Sequence, residues 1–277
     1  MSDEMILVTG ATGKTGRRVT RLLRERGVPV RAASRSATPS FDWTDRATWE
    51  KALRGATGMY VVHPDLGSPR AADDVAAFAR RAAAAGARHA VLLSTPSDAP
   101  AEEHVLSAER ALGHAGLDWT VLRVRWFFQN FSEDFLHDPV LSGEVRLPAG
   151  DGKEAFIDAE DIAEVAVAAL TEPGHAGWNY ELSGPRLMTF ADAVAEIARA
   201  TGRDLRYVPL TPEAYAQEQR AQGVPEEWVR LTVDLYEHVR SGGLASLGDG
   251  VHKALGRAPR DFSEYADTTA REGVWNI

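Results

Sequence analysis

Apolar residues in this chain come in short runs, and the stretches between them carry apolar positions every three or four residues. Met5 to Val8 is the first run, and Val19, Leu22 and Leu23 then mark one face of a helix, with Gly27 where a C-terminal cap belongs. Val28 to Ala33 reads as a second strand, and a third is expected just ahead of Asp42. A helix near Arg46 to Leu53, a strand at Met59 to Val62, an alanine-rich helix from about Pro69 to Ala85 and a strand at Ala90 to Leu93 follow. A helix over Glu102 to Ala115 and a sixth strand at Trp119 to Val124 complete the series. Strands that alternate with helices this regularly pair in parallel through right-handed crossovers. The fold class expected is therefore α/β, a doubly wound parallel sheet covered on both faces.

After about residue 135 the rhythm changes. Short strand patterns at Glu144 to Leu147 and Trp178 to Leu182 alternate with a helix beginning near Asp158, and from Thr189 the chain is mostly helical. This divides the chain into a doubly wound domain over 1–148 and a smaller, mostly helical C-terminal lobe over 149–277, with Trp178 to Leu182 free to return to the main sheet. Asp158-Ala159-Glu160-Asp161 has the spacing of a helix cap followed by an acid at the third helical position, so it reads as capping and not as paired catalytic carboxylates. Pro212 to Gly243 reads as two helices that close over a pocket or meet another subunit, and the pattern sets no oligomeric state.

Composition narrows the function. At 277 residues, 44% apolar and 26% charged, the chain can bury a large core without staples. It has no cysteine, which excludes disulfides, thiolate nucleophiles and thiolate metal sites, and no histidine pair stands at ligand spacing, so no metal is expected. The first strand begins too early for a signal peptide, and no apolar run approaches the ~18 residues of a membrane span, so a cytoplasmic protein without a membrane partner is expected. A net charge of −9 argues against a nucleic-acid partner, which needs a basic face to displace counterions.

The candidate chemistry starts at Thr9-Gly10-Ala11-Thr12-Gly13-Lys14-Thr15-Gly16, between the first strand and the first helix. Glycines let the backbone turn out of the strand and approach phosphates that a Cβ would obstruct, and the first helical amides lack intrahelical acceptors. Gly10, Thr12, Gly13, Lys14, Thr15 and Gly16 are thus candidates to hold a dinucleotide diphosphate. A triphosphate-binding loop would need a glycine where Val8 stands. About 20 residues past such glycines an acid selects NAD through the ribose hydroxyls. Ser34 and Arg35 stand there, and a guanidinium neutralises a 2′-phosphate with a forked pair of hydrogen bonds, so NADP(H) is the expected cofactor. Asp42 and Trp43 are expected to flank the adenine. Val62, His63, Pro64, Ser94 and Thr95, at the ends of later strands, are expected near the ribose and nicotinamide, with His63 equally readable as a satisfied surface histidine.

VTGATGKTGRRV, the second-strand SR, FDWTD, GLDWTVLR with FFQNF, AFIDAEDIAEVAVAAL and YELSGPRLMTF together resemble the NmrA-like atypical short-chain dehydrogenases over nearly the whole chain. Within them the chain is similar to the branch of NADPH-dependent quinone reductases, triphenylmethane reductases and ergot-alkaloid iminium reductases. The resemblance implies a Rossmann domain, an NADP-type cofactor and a cleft under a small C-terminal lobe. The same family contains nucleotide-sensing regulators that act through protein partners without turnover. Ordinary short-chain dehydrogenases use Tyr-x-x-x-Lys, yet none of Tyr60, Tyr180, Tyr207, Tyr215, Tyr236 or Tyr265 has a lysine four residues later, and His104 and Ala108 fall where that pair would stand. Hydride transfer to an iminium, which already carries positive charge, needs no acid, and a quinone needs only a weak one. The expected function is reduction of a small aromatic or heterocyclic electrophile (quinone, iminium or activated alkene). His104 is either its proton donor or an exposed helix residue. In the aromatic stretch Arg125 to Phe131, Trp126, Phe127, Phe128 and Asn130 are candidate walls for a planar small-molecule substrate, and equally candidate core.

Overall fold

Six parallel strands form the main sheet of the protein, a computed structural model that describes residues 5–96 and 102–277. In chain order the first elements are β1 (Met5–Val8), α1 (Lys14–Glu25), β2 (Val30–Ala32), α2 (Trp49–Leu53), β3 (Ala56–Val61), α3 (Ala71–Ala84), β4 (His89–Ser94), α4 (Glu102–Gly113) and β5 (Asp118–Val124). Then come α5 (Asn130–Glu133), α6 (His137–Ser142), β6 (Glu144–Leu147), β7 (Lys153–Glu154), α7 (Ala159–Thr171), β8 (Trp178–Leu182), β9 (Met188–Thr189) and α8 (Phe190–Thr201). The chain closes with β10 (Arg206–Pro209), α9 (Pro212–Ala221), α10 (Glu226–Arg240), α11 (Gly250–Leu255) and α12 (Phe262–Arg271).

The strand order β2-β1-β3-β4-β5-β8 is that of a doubly wound Rossmann sheet. Its direction of winding reverses between β1 and β3, and ligands of such sheets collect at the carboxyl ends of the strands beside that reversal. Alternation along the strands divides their side chains between two faces. Leu7, Met59 and Leu92 face α3 and the aromatic group Phe41, Trp49 and Phe78. Ile6, Val8, Tyr60 and Val91 face Val19 and Leu23 of α1 and Ile162, Val165 and Ala166 of α7.

Two sequence expectations change here. No third strand stands between β2 and Asp42, because residues 34–41 fold as a closed turn in which the Ser34 carbonyl accepts from the Ala37 and Phe41 amides, at 3.2 and 2.9 Å. Trp119 to Val124 therefore lies in the fifth strand. A single cut between 148 and 149 also fails to separate the cores. Phe128, Phe131, Val140 and Val145 belong to the second hydrophobic cluster with Phe190, Tyr236 and Trp275. α7 is buried nearly all round, so it needs apolar neighbours on every side and lies on the main sheet with α1. β8 joins β5 in parallel as the sheet's outer strand. The second lobe is thus built around the parallel pair β6 and β10 and the antiparallel pair β7 and β9. No helix among the described residues is long and apolar enough to cross a membrane.

Candidate functional site

The glycine loop is fixed by its neighbours before any ligand is considered. The Thr9 amide donates to the Tyr60 carbonyl at 2.9 Å, and the Thr9 hydroxyl accepts from the Val62 amide at 2.8 Å, which locks the end of β1 to the end of β3. Gly10 has φ +60°, and a Cβ there would lie 3.1 Å from Cβ of Val62. A Cβ on Gly16 would lie 2.2 Å from the Gly10 carbonyl oxygen, so α1 approaches the loop at a distance only glycine permits. The Ala11 amide reaches the Ala33 carbonyl at 3.3 Å and brings the end of β2 alongside. Gly13 caps α1 without a side-chain bond, and the first turn holds no acid. The amides of Lys14 and Thr15 therefore point out of the helix without acceptors inside it, at the positive end of its dipole. Thr12 and Gly13 are exposed beside them, and Thr15 is buried.

Around this cradle the other candidates fall in different ways. Arg35 is exposed on the turn after β2. The Asp42 carboxylate accepts from the amide and hydroxyl of Thr44, both at 2.8 Å, and these bonds, with Arg35 nearby, hold it below the usual carboxylate range. Trp43 donates its indole N–H to the Val62 carbonyl at 2.9 Å and sets its ring 4.8 Å from that of His63. His63 is not a surface residue. Its side chain is 6% exposed, its Nε2 is 3.9 Å from Asp74, and burial holds its pKa below 6.5. Its Nδ1 accepts from the Asp65 amide at 3.1 Å, so the neutral ring carries its proton on Nε2. Pro64 and Thr95 are exposed at the ends of β3 and β4. Ser94 turns its hydroxyl inward to Glu109 at 2.6 Å, and Glu109 is in turn held by Arg123 at 2.6 Å. His104 is exposed on α4.

The aromatic stretch after β5 splits. Trp126 and Asn130 line a cavity of about 830 Å³ in the second lobe, together with Phe135, Leu136, Tyr215 and Tyr236. Phe128 does not belong to that wall. It is 1% exposed, with its ring 4.9 Å from Phe262 and 5.3 Å from Tyr265, because the turn after the strand points it into the core. Phe127 packs on the core under the main sheet, and Nζ of Lys14 sits 5.5 Å from its ring centre. α9 and α10 do close over the cavity. Tyr236 stands between Trp126 and Tyr215, each ring 5.5 Å away, and burial raises its phenol pKa well above the ordinary value. At the mouth, Arg146 forks to Glu218 at 2.7 and 3.3 Å. The residues on α9 and α10 were missed in the sequence as individual site residues; only their helical pattern signalled them.

Acids of the second lobe, and Glu160 of α7, also meet the glycine-loop helix. Lys14 pairs with Asp134, Arg17 with Glu133, and Arg18 with Glu133 at 2.7 Å and Glu160 at 2.9 Å. Asp158 caps α7 through the Glu160 amide at 2.8 Å and also accepts from the Gln129 side chain at 2.8 Å. Asp161, fully buried, is held by Arg257 and Arg260. Both acids are therefore engaged structurally.

The profile of the NmrA-like family matches residues 2–266. The chain belongs to the NmrA-like family. It is 33% identical to an NAD(P)H azoreductase of Xenophilus azovorans, covering 96% of this chain and 98% of the relative. An agroclavine dehydrogenase of Claviceps fusiformis is 32% identical over 98% of each chain. The NADPH complex of an NADPH-dependent quinone oxidoreductase from Escherichia coli superposes with a TM-score of 0.76 at 22% identity, covering 95% of this chain and 99% of that one. The superposition with the quinone oxidoreductase agrees with the doubly wound sheet expected from the strand and helix pattern.

Proposed function

We propose that this chain is an NADPH-dependent reductase of small planar electrophiles: a quinone, an iminium or an activated alkene. The observation that carries this reading is the close approach of Gly16 to the Gly10 carbonyl, which leaves an uncapped helix N-terminus beside a cradle that any Cβ would fill. These residues fit a dinucleotide. The amides of Lys14 and Thr15 would hold its diphosphate, Arg35 its 2′-phosphate, and Trp43 with Val62 and His63 the wall beside its adenosine half. When bound, the nicotinamide supplies hydride. Trp126 and Tyr236 offer an acceptor flat aromatic surface and exclude water, and Asn130 offers it an amide for orientation. The named activities of the relatives, azoreductase, agroclavine dehydrogenase and quinone oxidoreductase, support an acceptor of this kind.

The missing Tyr-x-x-x-Lys pair restricts the chemistry to acceptors that need little proton assistance. For acceptors that gather negative charge, His104 is the proposed proton source, and His104→Gln should slow quinone turnover more than iminium turnover. The chain is proposed to act in the cytoplasm on a small molecule. The test is to mix the purified chain with NADPH and a panel of quinones and cyclic iminium ions, and to follow the nicotinamide absorbance. Oxidation of NADPH by at least one acceptor is expected. Tight NADP(H) binding with no oxidation by any acceptor would overturn the reading in favour of a nucleotide-sensing regulator.

A further inference from the structure

Lys14 is the first residue of α1, directly after the Gly13 cap, yet its ammonium is turned across to the second lobe and paired with Oδ2 of Asp134. The other oxygen of the same carboxylate, Oδ1, accepts from the Phe135 amide at 2.9 Å. Phe135 lines the cavity and lies 6.0 Å from the Trp126 ring. One carboxylate therefore joins the phosphate-binding end of α1 to the wall of the substrate cavity. Its neighbour Glu133 is the firmer anchor. It is tied to Arg18, and both side chains are more deeply buried, at 12% and 20% exposure, than the 45% of Asp134.

We propose that Asp134 is a positioning residue that holds the Lys14 ammonium in the cofactor-free protein and yields it to the cofactor's phosphates, coupling cofactor binding to the cavity wall. This rests on the glycine loop being the dinucleotide site. An anionic diphosphate beside Lys14 competes with Asp134 for the ammonium and repels the carboxylate, so each weakens the other's hold. Once Lys14 is shared, Asp134 moves with the Phe135 amide to which it is bonded, and Glu133 keeps the segment attached. By linkage, an acceptor that favours the released wall strengthens cofactor binding by the same factor.

The experiment is calorimetric titration of NADP⁺ into the full chain and into Asp134→Asn, Lys14→Ala and the double variant. Glu172→Gln, which removes a carboxylate paired with Arg26 beyond the far end of α1, controls for general charge. Asp134→Asn should bind NADP⁺ about two- to fivefold more tightly, as releasing a partly exposed ion pair allows. Lys14→Ala should bind more weakly, and adding Asp134→Asn to it should change nothing further. Glu172→Gln should match the parent. Trp126 fluorescence, taken as the difference from Trp126→Phe, should shift on NADP⁺ binding in the parent and be already shifted in free Asp134→Asn. Equal or weaker binding by Asp134→Asn, or a gain that survives in the Lys14→Ala background, would overturn the coupling while leaving the cofactor site intact. No NADP⁺ binding by the parent itself would remove the site on which the coupling rests.

Discussion

The glycine-loop edge of the main sheet and the cavity of the second lobe are built on different principles. At the edge, backbone does the work: amides at the start of α1, a left-handed Gly10, and a helix brought against a carbonyl at Gly16. In the cavity, side chains do it: Trp126, Phe135, Tyr215 and Tyr236 come from segments up to about a hundred residues apart. A backbone site is specific for what all dinucleotides share and tolerates little change. A side-chain site can be re-lined residue by residue, so one lobe can keep the cofactor while the other changes the acceptor.

If that division holds, damage at the edge should affect the cofactor most and damage in the cavity chiefly the acceptor, apart from the modest coupling through Asp134. The largest effect is expected from Gly16→Ala, whose new methyl must displace the Gly10 carbonyl. Calorimetry should show NADP⁺ affinity falling about 100-fold, with about 1–3 kcal/mol lost from stability in urea. Retained affinity would detach the loop from the cofactor. Arg35→Asp comes next. Replacing the cation proposed to make charge-assisted bonds to the 2′-phosphate with an anion should shift the NADPH to NADH preference by about 10- to 100-fold, measured as the ratio of kcat/KM values. An unchanged ratio would release Arg35 from the site.

On the cavity side, Trp126→Leu should raise the KM for a planar acceptor by about five- to tenfold through lost ring contact, leaving the Kd for NADP⁺ within about twofold. A change in the cofactor constant as large as that in KM would merge the two regions. The smallest effect expected is one of pH. Burial lowers the pKa of His63, at the edge, and of His89, at the amino end of β4, below 6.5. Below that value the unfolded chain binds more protons than the folded one, so stability should be full at neutral pH and fall as the pH drops. The slope should be no more than about 1.4 kcal/mol per pH unit for each histidine. Urea midpoints at pH 7 and pH 5.5 would check it, with His63→Gln and His89→Gln each flattening the slope.

The same division explains what was legible in the sequence. The glycine loop, the strands of the main sheet and the cap at Asp158 follow local rules of spacing and conformation, and they stand where those rules put them. The turn at 34–41 was misread because Phe41 is apolar and buried, like a strand residue, yet is held by a turn bond to Ser34. Within Trp126-Phe127-Phe128, three similar rings go to the cavity, the first core and the second core, a choice that composition cannot express. The return of α7 to the main sheet, and the pairing of Lys14 with Asp134, depend on contacts more than a hundred residues apart. No local pattern records them.

The most direct test of the account is titration of NADP⁺ and of NAD⁺ into the full chain, followed by the heat of binding. Saturable binding of one NADP⁺ per chain, tighter than NAD⁺, is the expected result. No heat from either nucleotide at millimolar concentration would contradict the account.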